Sequence, residues 1–341
     1  MNPALSSEVG TGSRRDNALR EKTPLLSVEG LSIGFATEEG PVRVVEGVSF
    51  AVGSGETVGL VGESGCGKSV TAQTIMRLLP SPPARIEAGR IGFNGIDLAS
   101  ASEAQMRKIR GNHIAMIFQE PMTSLNPTMT VGDQIAEALL LHRGAKSSQA
   151  RPKVLDMLKQ VGIGRPEKRF AQYPHELSGG LRQRVMIAMA LICQPKLLIA
   201  DEPTTALDVT IQAQILELMK TLQSELHIAV LLITHDLGVV EEMCREVVVM
   251  YAGRIVEKAP AKSLFARPRH PYTAGLLAAS PRKAPRGGIL PTIPGAVPPP
   301  GRRGQGCSFA ERCARALPRC RQETPPLTGN GHVAACWNPV P

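Results

Sequence analysis

Short apolar runs broken by glycine alternate with helical patterns along most of this chain. The runs are rich in β-branched residues and predict strands over residues 25–35, 42–52, 57–61, 90–93 and 114–118. Farther along, Ile211, Ile215, Leu218 and Leu222 recur at helical spacing, which predicts a helix with one buried face, followed by a strand at 228–233. The order strand, helix, strand indicates a parallel sheet and therefore an α/β core.

The remaining segments follow other patterns. Residues 120–178 contain helical patterns, at 131–142 and 154–161, but no clear strand, so we expect an all-helical insert in the α/β core. After a hairpin-like segment at 247–257 come helix-like pieces to residue 279, and then a proline-rich arm. The chain shows no internal repeat. We predict a disordered N-terminal tail, one main domain and a C-terminal extension, with the bounds 1–24, 25–258 and 259–341.

The composition narrows the class of protein. With 341 residues and 43% hydrophobic content, the chain can bury a sizeable core. No apolar run reaches the roughly 18 residues that a membrane-spanning helix needs, and the start lacks a signal-peptide pattern, so we expect a soluble protein without a membrane span. The net charge of +9 is concentrated in residues 258–341, and aromatic residues make up only 3% of the chain. Because so few aromatics are present to stack on bases, we do not expect nucleic acid as a partner.

The strongest chemical signal lies between a predicted strand and a predicted helix. It is a phosphate-binding loop of the pattern G-x-x-x-x-G-K-S, made of Gly62, Glu63, Ser64, Gly65, Cys66, Gly67, Lys68 and Ser69, with Val70 opening the helix. The glycines let backbone N–H groups face phosphate oxygens, and the helix N-terminus adds positive charge. Lys68 is expected to contact the β and γ phosphates, and Ser69 to ligate Mg²⁺. The flanking strand and helix argue against the alternative, a glycine-rich turn without function.

A second signal is a pair of carboxylates at the end of an apolar run. Residues 197–200 predict a strand that carries Asp201 and Glu202 to its carboxyl end, where open α/β sheets bind ligands. We expect Asp201 to hold Mg²⁺ through water and Glu202 to polarise the attacking water. Alone, an Asp-Glu pair after a strand often only begins a solvated loop, but beside a phosphate-binding loop it predicts nucleotide hydrolysis.

Together these segments resemble the ATP-binding subunits of ATP-binding-cassette (ABC) transporters, over about residues 25–258. The resemblance extends to further motifs in the order that this family shows, namely Phe35 at the adenine-stacking aromatic, Gln119 in the Q-loop, Leu-Ser-Gly-Gly at 177–180 in the signature motif, Asp208 in the D-loop and His235 at the switch histidine. It implies that Gln119 contacts Mg²⁺, together with Ser69 and Asp201, and that His235 contacts the γ-phosphate. It implies an α/β P-loop NTPase fold with a mixed core sheet, an antiparallel β subdomain and an all-helical subdomain at about 120–178.

Each of these positions also has an ordinary explanation. Phe35 would be an ordinary core aromatic on a strand, and the family more often has Tyr at this position. Ser178 would only cap a helix, and His235 would be a surface residue. Leu181 departs from the polar residue that usually follows the signature motif; we expect it to alter the fit to nucleotide but to leave the atoms that contact phosphate in place.

The resemblance implies an enzyme that hydrolyses ATP as a head-to-tail pair of cassettes. Ser178, Gly179 and Gly180 of one subunit would contact the γ-phosphate held by the other. Since Glu202 and His235 are both present, the sequence argues against a scaffold that cannot hydrolyse ATP. A single cassette without a long coiled coil also argues against the alternative of a soluble ABC ATPase that acts on nucleic acid or ribosomes.

Further segments resemble one branch of these transporters, the importers of oligopeptides, dipeptides and nickel. They are an extended Q-loop at 119–127, His-Pro-Tyr-Thr at 270–273, Ile-Pro-Gly at 293–295 and Gly-Cys at 306–307. The branch implies a different second cassette subunit, two membrane permeases and an extracytoplasmic substrate-binding protein, with this chain at the cytoplasmic face of the inner membrane. Peptides are the expected cargo, and nickel or another small solute remains the alternative.

Four of the seven cysteines cluster near the C-terminus with the spacing C-x5-C-x6-C-x15-C, at Cys307, Cys313, Cys320 and Cys336. Disulfides are disfavoured in the reducing cytosol where such an ATPase works. By ligand type, four thiolates fit a [4Fe–4S] cluster or zinc. The resemblance to the peptide-importer branch favours the cluster, with zinc and no metal as alternatives. His332 is a further candidate ligand.

Overall fold

The structure is a computed structural model that describes residues 23–119, 124–205, 207–280 and 291–341. Several predicted features lie wholly or partly outside these ranges. They are most of the N-terminal tail, residues 120–123 of the extended Q-loop, Ala206 beside the D-loop, and residues 281–290 of the proline-rich arm.

Two β-sheets form the body of the protein. The strands are β1 (Leu26–Thr37), β2 (Gly40–Val52), β3 (Thr57–Val61), β4 (Ala84–Phe93), β5 (Ile96–Asp97), β6 (Ile114–Ile117), β7 (Leu197–Asp201), β8 (Ala229–Thr234), β9 (Glu246–Tyr251), β10 (Arg254–Pro260), β11 (Thr328–Asn330) and β12 (His332–Ala334). The smaller sheet is antiparallel and has the order β2-β1-β4-β5. The larger sheet has the order β11-β12-β10-β9-β3-β8-β7-β6.

The centre of the larger sheet is parallel, since β9, β3, β8, β7 and β6 all run in one direction. Strands β3, β7 and β8 are buried at every position, as expected where both faces of a parallel sheet are covered. This confirms the predicted α/β core. It also brings the carboxyl ends of β3, β6, β7 and β8 to one edge, the usual ligand-binding edge of such a sheet.

The helices are α1 (Lys68–Ile75), α2 (Glu103–Ile109), α3 (Val131–Arg143), α4 (Ser147–Gln160), α5 (Pro166–Phe170), α6 (Gly179–Leu191), α7 (Val209–Leu226), α8 (Leu237–Met243), α9 (Ala261–Ala266), α10 (Pro271–Ala278) and α11 (Pro318–Gln322), with short 3-10 turns at Pro174–Glu176 and Ala310–Arg312. On α7 the buried face consists of Ile215, Met219 and Leu222. The predicted face members Ile211 and Leu218 are only half-buried, because Met219 takes the central position on that face.

Helices α3 to α6 lie between β6 and β7 in the chain and form an all-helical part, as the fold prediction expected, but α6 extends it from the predicted end at about residue 178 to Leu191. Their shared core includes Ile135, Leu158 and Val185. The first of them, α3, is capped by Thr130, whose hydroxyl accepts the Asp133 N–H at 3.2 Å. It ends at Gly144, which adopts the left-handed conformation (φ 60°) that suits a helix C-terminus.

The C-terminal extension is joined to the larger sheet. Strand β12 pairs with β10 opposite Glu257 and Lys258, and β11 pairs with β12. The fully buried carboxylate of Glu257 accepts the N–H groups of Arg269 (2.7 Å) and His270 (2.9 Å) and lies 2.6 Å from Nε2 of His332. One buried side chain therefore connects β10, the start of α10 and β12. Within the described ranges, no helix is both long enough and apolar enough to cross a bilayer.

Candidate active site

The phosphate-binding loop connects the buried strand β3 to helix α1. Gly62, Gly65 and Gly67 have positive φ angles of 151°, 76° and 102°. At Gly62 an added methyl group would lie 2.2 Å from the carbonyl oxygen of Met250, so this position requires glycine. The loop therefore passes against the end of β9, with no room there for a side chain.

Lys68 occupies the centre of this loop. Its side chain is buried, and its Nζ atom donates to the carbonyl oxygens of Gly62 (2.8 Å) and Glu63 (3.0 Å). Beneath it lies Cys66, fully buried, whose thiol has a pKa raised by burial and partly lowered again by Lys68. A buried ammonium group at the N-terminus of a helix forms a binding site for phosphate.

Ser69 and Asp201 meet across the sheet edge. The Ser69 hydroxyl donates to the Asp201 carboxylate at 3.0 Å, although the two residues are far apart in sequence. Asp201 is 3% exposed, and burial raises the pKa of its carboxyl group, which the hydrogen bond from Ser69 lowers in part. A serine hydroxyl next to a buried carboxylate provides the hard oxygen ligands that Mg²⁺ prefers, so these residues fit the predicted ion.

The Glu202 carboxylate contacts several side chains. Its Oε2 atom accepts hydrogen bonds from Gln119 Nε2 (3.1 Å) and Thr205 Oγ1 (2.8 Å) and lies 3.4 Å from His235 Nδ1. Its backbone has a φ angle of 48°, in the left-handed region that a non-glycine residue rarely adopts. The Glu202 N–H donates to the Ile233 carbonyl at 2.9 Å, which fixes this turn against β8.

The structure thus brings together the predicted residues Gln119, Glu202 and His235 from the ends of three different strands. It also adds Thr205, which the motif comparison did not single out. The signal for it was available, because a threonine three residues after a strand-end glutamate is within reach of that carboxylate in a tight turn.

The other predicted positions lie outside this cluster. Ser178 is the exposed N-cap residue of α6, and its side chain makes no capping hydrogen bond. Among the described residues, Ser178, Gly179 and Gly180 have no hydrogen bond to the phosphate-binding loop. Asp208 caps α7 by accepting the Ile211 N–H at 3.0 Å, and Phe35 is half-buried near the end of β1.

Two family models match the chain, one described as "ABC transporter" over residues 45–205 and one as "Oligopeptide/dipeptide transporter, C-terminal region" over residues 256–320. The chain is 57% identical to a probable peptide ABC transporter ATP-binding protein of Sinorhizobium fredii, over 92% of this chain and 94% of that protein. The chain belongs to the ATP-binding proteins of ABC transporters.

This ABC protein is also 51% identical to the dipeptide transport ATP-binding protein DppD of Escherichia coli, over 93% of this chain and 97% of the relative. Among solved structures it resembles a dimeric ATP-binding cassette in a post-hydrolysis state bound to ADP and Pi, with a TM-score of 0.62 and 27% identity over 69% of this chain and 98% of that one. These matches confirm the predicted fold class and the prediction of an ATPase. They also confirm the oligopeptide and dipeptide branch.

The four C-terminal cysteines line one small pocket together with His270, Phe309 and Trp337. Burial raises the pKa of the Cys307 thiol to about 11 and also raises those of Cys313 and Cys336.

The structure does not support the predicted metal site. Within the described ranges, no group of three or more His, Cys, Asp or Glu side chains is arranged to hold a metal ion. This finding applies to the [4Fe–4S] cluster and to the zinc alternative. His332, the further candidate ligand, does not line this pocket and instead contacts Glu257.

Proposed function

We propose that this ABC ATPase drives the import of dipeptides or oligopeptides. What supports the proposal is the match over nearly the whole chain, C-terminal extension included, to proteins named for peptide and dipeptide transport. The extension is the part that separates this branch from a general cassette. Nickel or another small solute of the same branch is the alternative cargo.

In the proposed reaction the phosphate-binding loop and Lys68 hold the β and γ phosphates of ATP. Ser69 and Asp201 would hold Mg²⁺, which when bound neutralises charge on these phosphates. Glu202 orients and polarises the water that attacks the γ-phosphate. Gln119, Thr205 and His235 keep the Glu202 carboxylate in place, since all three contact or approach the same oxygen.

The proposed site is completed by a second cassette. Ser178 is exposed, its side chain makes no capping bond, and within the described residues it has no hydrogen bond to its own phosphate-binding loop. A facing subunit would use this helix end, with Gly179 and Gly180, to contact the γ-phosphate. The similar solved cassette is dimeric. Following the resemblance to the importer branch, we propose a different cassette protein as the partner, with Asp208 near the dimer interface and Phe35 at the adenine.

The remaining proposed partners are two membrane permeases and an extracytoplasmic substrate-binding protein. The support for them is the family, in which the relatives are named for peptide and dipeptide transport. This arrangement would place the chain at the cytoplasmic face of the inner membrane.

Cargo is tested by uptake in the native host. Deleting the gene should abolish accumulation of a labelled dipeptide or tripeptide and leave uptake of labelled nickel unchanged. Reintroduction of the wild-type gene should restore peptide uptake, whereas the Lys68→Ala variant, made to the same level, should not. Loss of nickel uptake with normal peptide uptake would replace peptide by nickel as the cargo.

A further inference from the structure

Two motifs of the C-terminal extension converge on one residue of the phosphate-binding loop. They are the His-Pro-Tyr-Thr segment at 270–273 and the Ile-Pro-Gly segment at 293–295. Both act at Glu63, the second residue of the loop. The first segment supplies Tyr272, which contacts Glu63 directly, and the carbonyl groups of the second segment hold Arg312, which contacts Glu63. Tyr272 lies more than 200 residues from Glu63 in the sequence, so the motifs of the ATP site alone do not predict a contact between the extension and the loop.

Tyr272 contacts the backbone of Glu63. Its hydroxyl accepts the Glu63 N–H at 2.8 Å, and its ring is fully buried. The ring is held by Tyr251 and Phe309, with centroid distances of 4.6 and 5.4 Å. At the backbone, the Tyr272 N–H donates to Nδ1 of His270 at 3.1 Å. Tyr272 is therefore a rigid support that begins in the extension and ends at the loop.

Arg312 contacts the side chain of Glu63. Its Nη1 atom lies 3.0 Å from Glu63 Oε2, and its other nitrogens donate to the carbonyl oxygens of Pro294 (2.8 Å) and Ile293 (3.2 Å). The Arg312 side chain is only 7% exposed. A guanidinium fixed by two backbone carbonyls neutralises the Glu63 carboxylate, which lies on the loop that receives the negatively charged phosphates.

Glu63 is also a direct neighbour of Lys68. The Glu63 carbonyl oxygen accepts from Lys68 Nζ at 3.0 Å, so the residue held by the extension also touches the ammonium group of the loop. We propose that the C-terminal extension positions the phosphate-binding loop at Glu63, with Tyr272 supporting its backbone and Arg312 neutralising its carboxylate. The inference rests on the proposed nucleotide site. It makes Arg312 and Tyr272 positioning residues for ATP binding, and the extension part of the active site.

The test measures Mg²⁺-ATP binding to the full-length chain with a fluorescent ATP analogue, together with the melting temperature of each variant. Arg312→Ala leaves the Glu63 carboxylate uncompensated, and we expect the Kd for the analogue to rise roughly tenfold. Arg315→Ala is the matched control, because Arg315 lies in the same segment but bonds only Asn338 and Pro339 among the described residues. It should change Kd less than about twofold.

A second change separates charge neutralisation from simple packing. In the Arg312→Ala background, Glu63→Gln removes the carboxylate charge and should restore Kd to within about threefold of wild type. Arg312→Lys should give an intermediate Kd, because lysine supplies the charge without the planar contacts. If Arg312→Ala lowers the melting temperature and Glu63→Gln leaves its Kd raised, the role is only structural and the inference fails.

Tyr272→Phe keeps the buried ring and removes the hydroxyl, so it tests the backbone contact in a folded protein. We expect a rise in Kd of several-fold, because the Glu63 N–H loses its partner. Lys68→Ala tests the nucleotide site separately from the role of the extension. Undiminished binding in Lys68→Ala would overturn the proposed nucleotide site itself, whereas loss of binding in Lys68→Ala with normal binding in Arg312→Ala and Tyr272→Phe would overturn only the role of the extension.

Discussion

The catalytic edge of the larger sheet and the C-terminal extension place polar groups by different means. At the catalytic edge, fully buried parallel strands end at the residues that do the chemistry, and apolar packing of β3, β7 and β8 fixes their position. In the extension, β11 and β12 are three residues each, and position depends on buried polar contacts such as those of Glu257 and Arg312.

Substitutions in the two regions should therefore have different effects. A side chain at the end of a buried strand can be exchanged with little cost in stability, because the strand and not the side chain provides the free energy of folding. Removal of a buried polar group that joins segments costs stability, because its hydrogen-bond partners are left unsatisfied. Substitutions at the catalytic edge should therefore change rates, and substitution of Glu257, whose contacts join segments of the extension, should lower the free energy of unfolding.

The largest effect is expected at Glu202. Glu202→Gln keeps the shape of the side chain but removes the group proposed to polarise water, so ATP turnover should fall roughly 100-fold or more while ATP binding and the melting temperature stay near wild type. Phosphate release by the assembled cassette pair measures this. Glu242→Gln is the control, since Glu242 is an exposed partner of Lys220. Turnover of Glu202→Gln within a fewfold of wild type would remove Glu202 from the reaction.

The next effect is expected at Glu257 in the extension. Glu257→Ala leaves the buried N–H groups of Arg269 and His270 without an acceptor, and the free energy of unfolding should fall by about 3 kcal/mol. Denaturant unfolding measures it. Glu246→Ala removes a half-buried carboxylate of the same hairpin, 3.4 Å from Lys258, and should cost about 0.5 kcal/mol or less. Equal costs for the two variants would contradict the contrast drawn between buried and surface contacts.

His270 makes the extension sensitive to acid. Burial lowers its pKa from 6.5 to about 4, so between these values the unfolded chain binds a proton that the folded chain does not. The free energy of unfolding therefore falls as the pH drops from 6.5 to 4, by about 3 kcal/mol from this group. The proposed measurement is denaturant unfolding at several pH values.

His270→Asn keeps a side-chain acceptor for the Tyr272 N–H and removes the titrating ring, so the difference between wild type and variant isolates His270. His175→Asn, at an exposed histidine, should leave the pH dependence as in wild type. A wild-type curve parallel to that of His270→Asn over the whole window would show that His270 does not titrate there.

The sequence predicted the catalytic edge well because its signals are local. A phosphate-binding loop lies between a strand and a helix, and Asp201 and Glu202 end an apolar run, so few residues determine each position. The parallel sheet then requires these ends to meet. The spacing between Glu202 and Thr205 was compatible with a contact, but that Thr205 and Gln119 bond the same oxygen of Glu202 depends on the turn at φ 48° and on the end of another strand.

The extension was predicted less well because its structure depends on contacts distant in sequence. Four clustered cysteines indicated a metal site, but their spacing in the sequence does not determine whether the thiols are arranged at ligand distance from one ion. Nor did the sequence predict that β12 would pair with β10, since a three-residue strand has almost no pattern of its own. The sequence likewise did not predict that Tyr272 and Arg312 contact Glu63.

Thr205, at the catalytic edge, should give the smallest of these effects. Thr205→Val keeps the shape of the side chain and removes one of the two hydrogen bonds to Glu202 Oε2, so kcat should fall roughly three- to tenfold. The KM for ATP should stay unchanged, because Thr205 is proposed to orient the carboxylate and not to bind phosphate. Thr221→Val, at an exposed position of α7 where the hydroxyl donates only to Glu217, is the matched control. A raised KM with normal kcat would place Thr205 in nucleotide binding, and unchanged kinetics in both variants would mean that Gln119, His235 and the backbone turn hold Glu202 without Thr205.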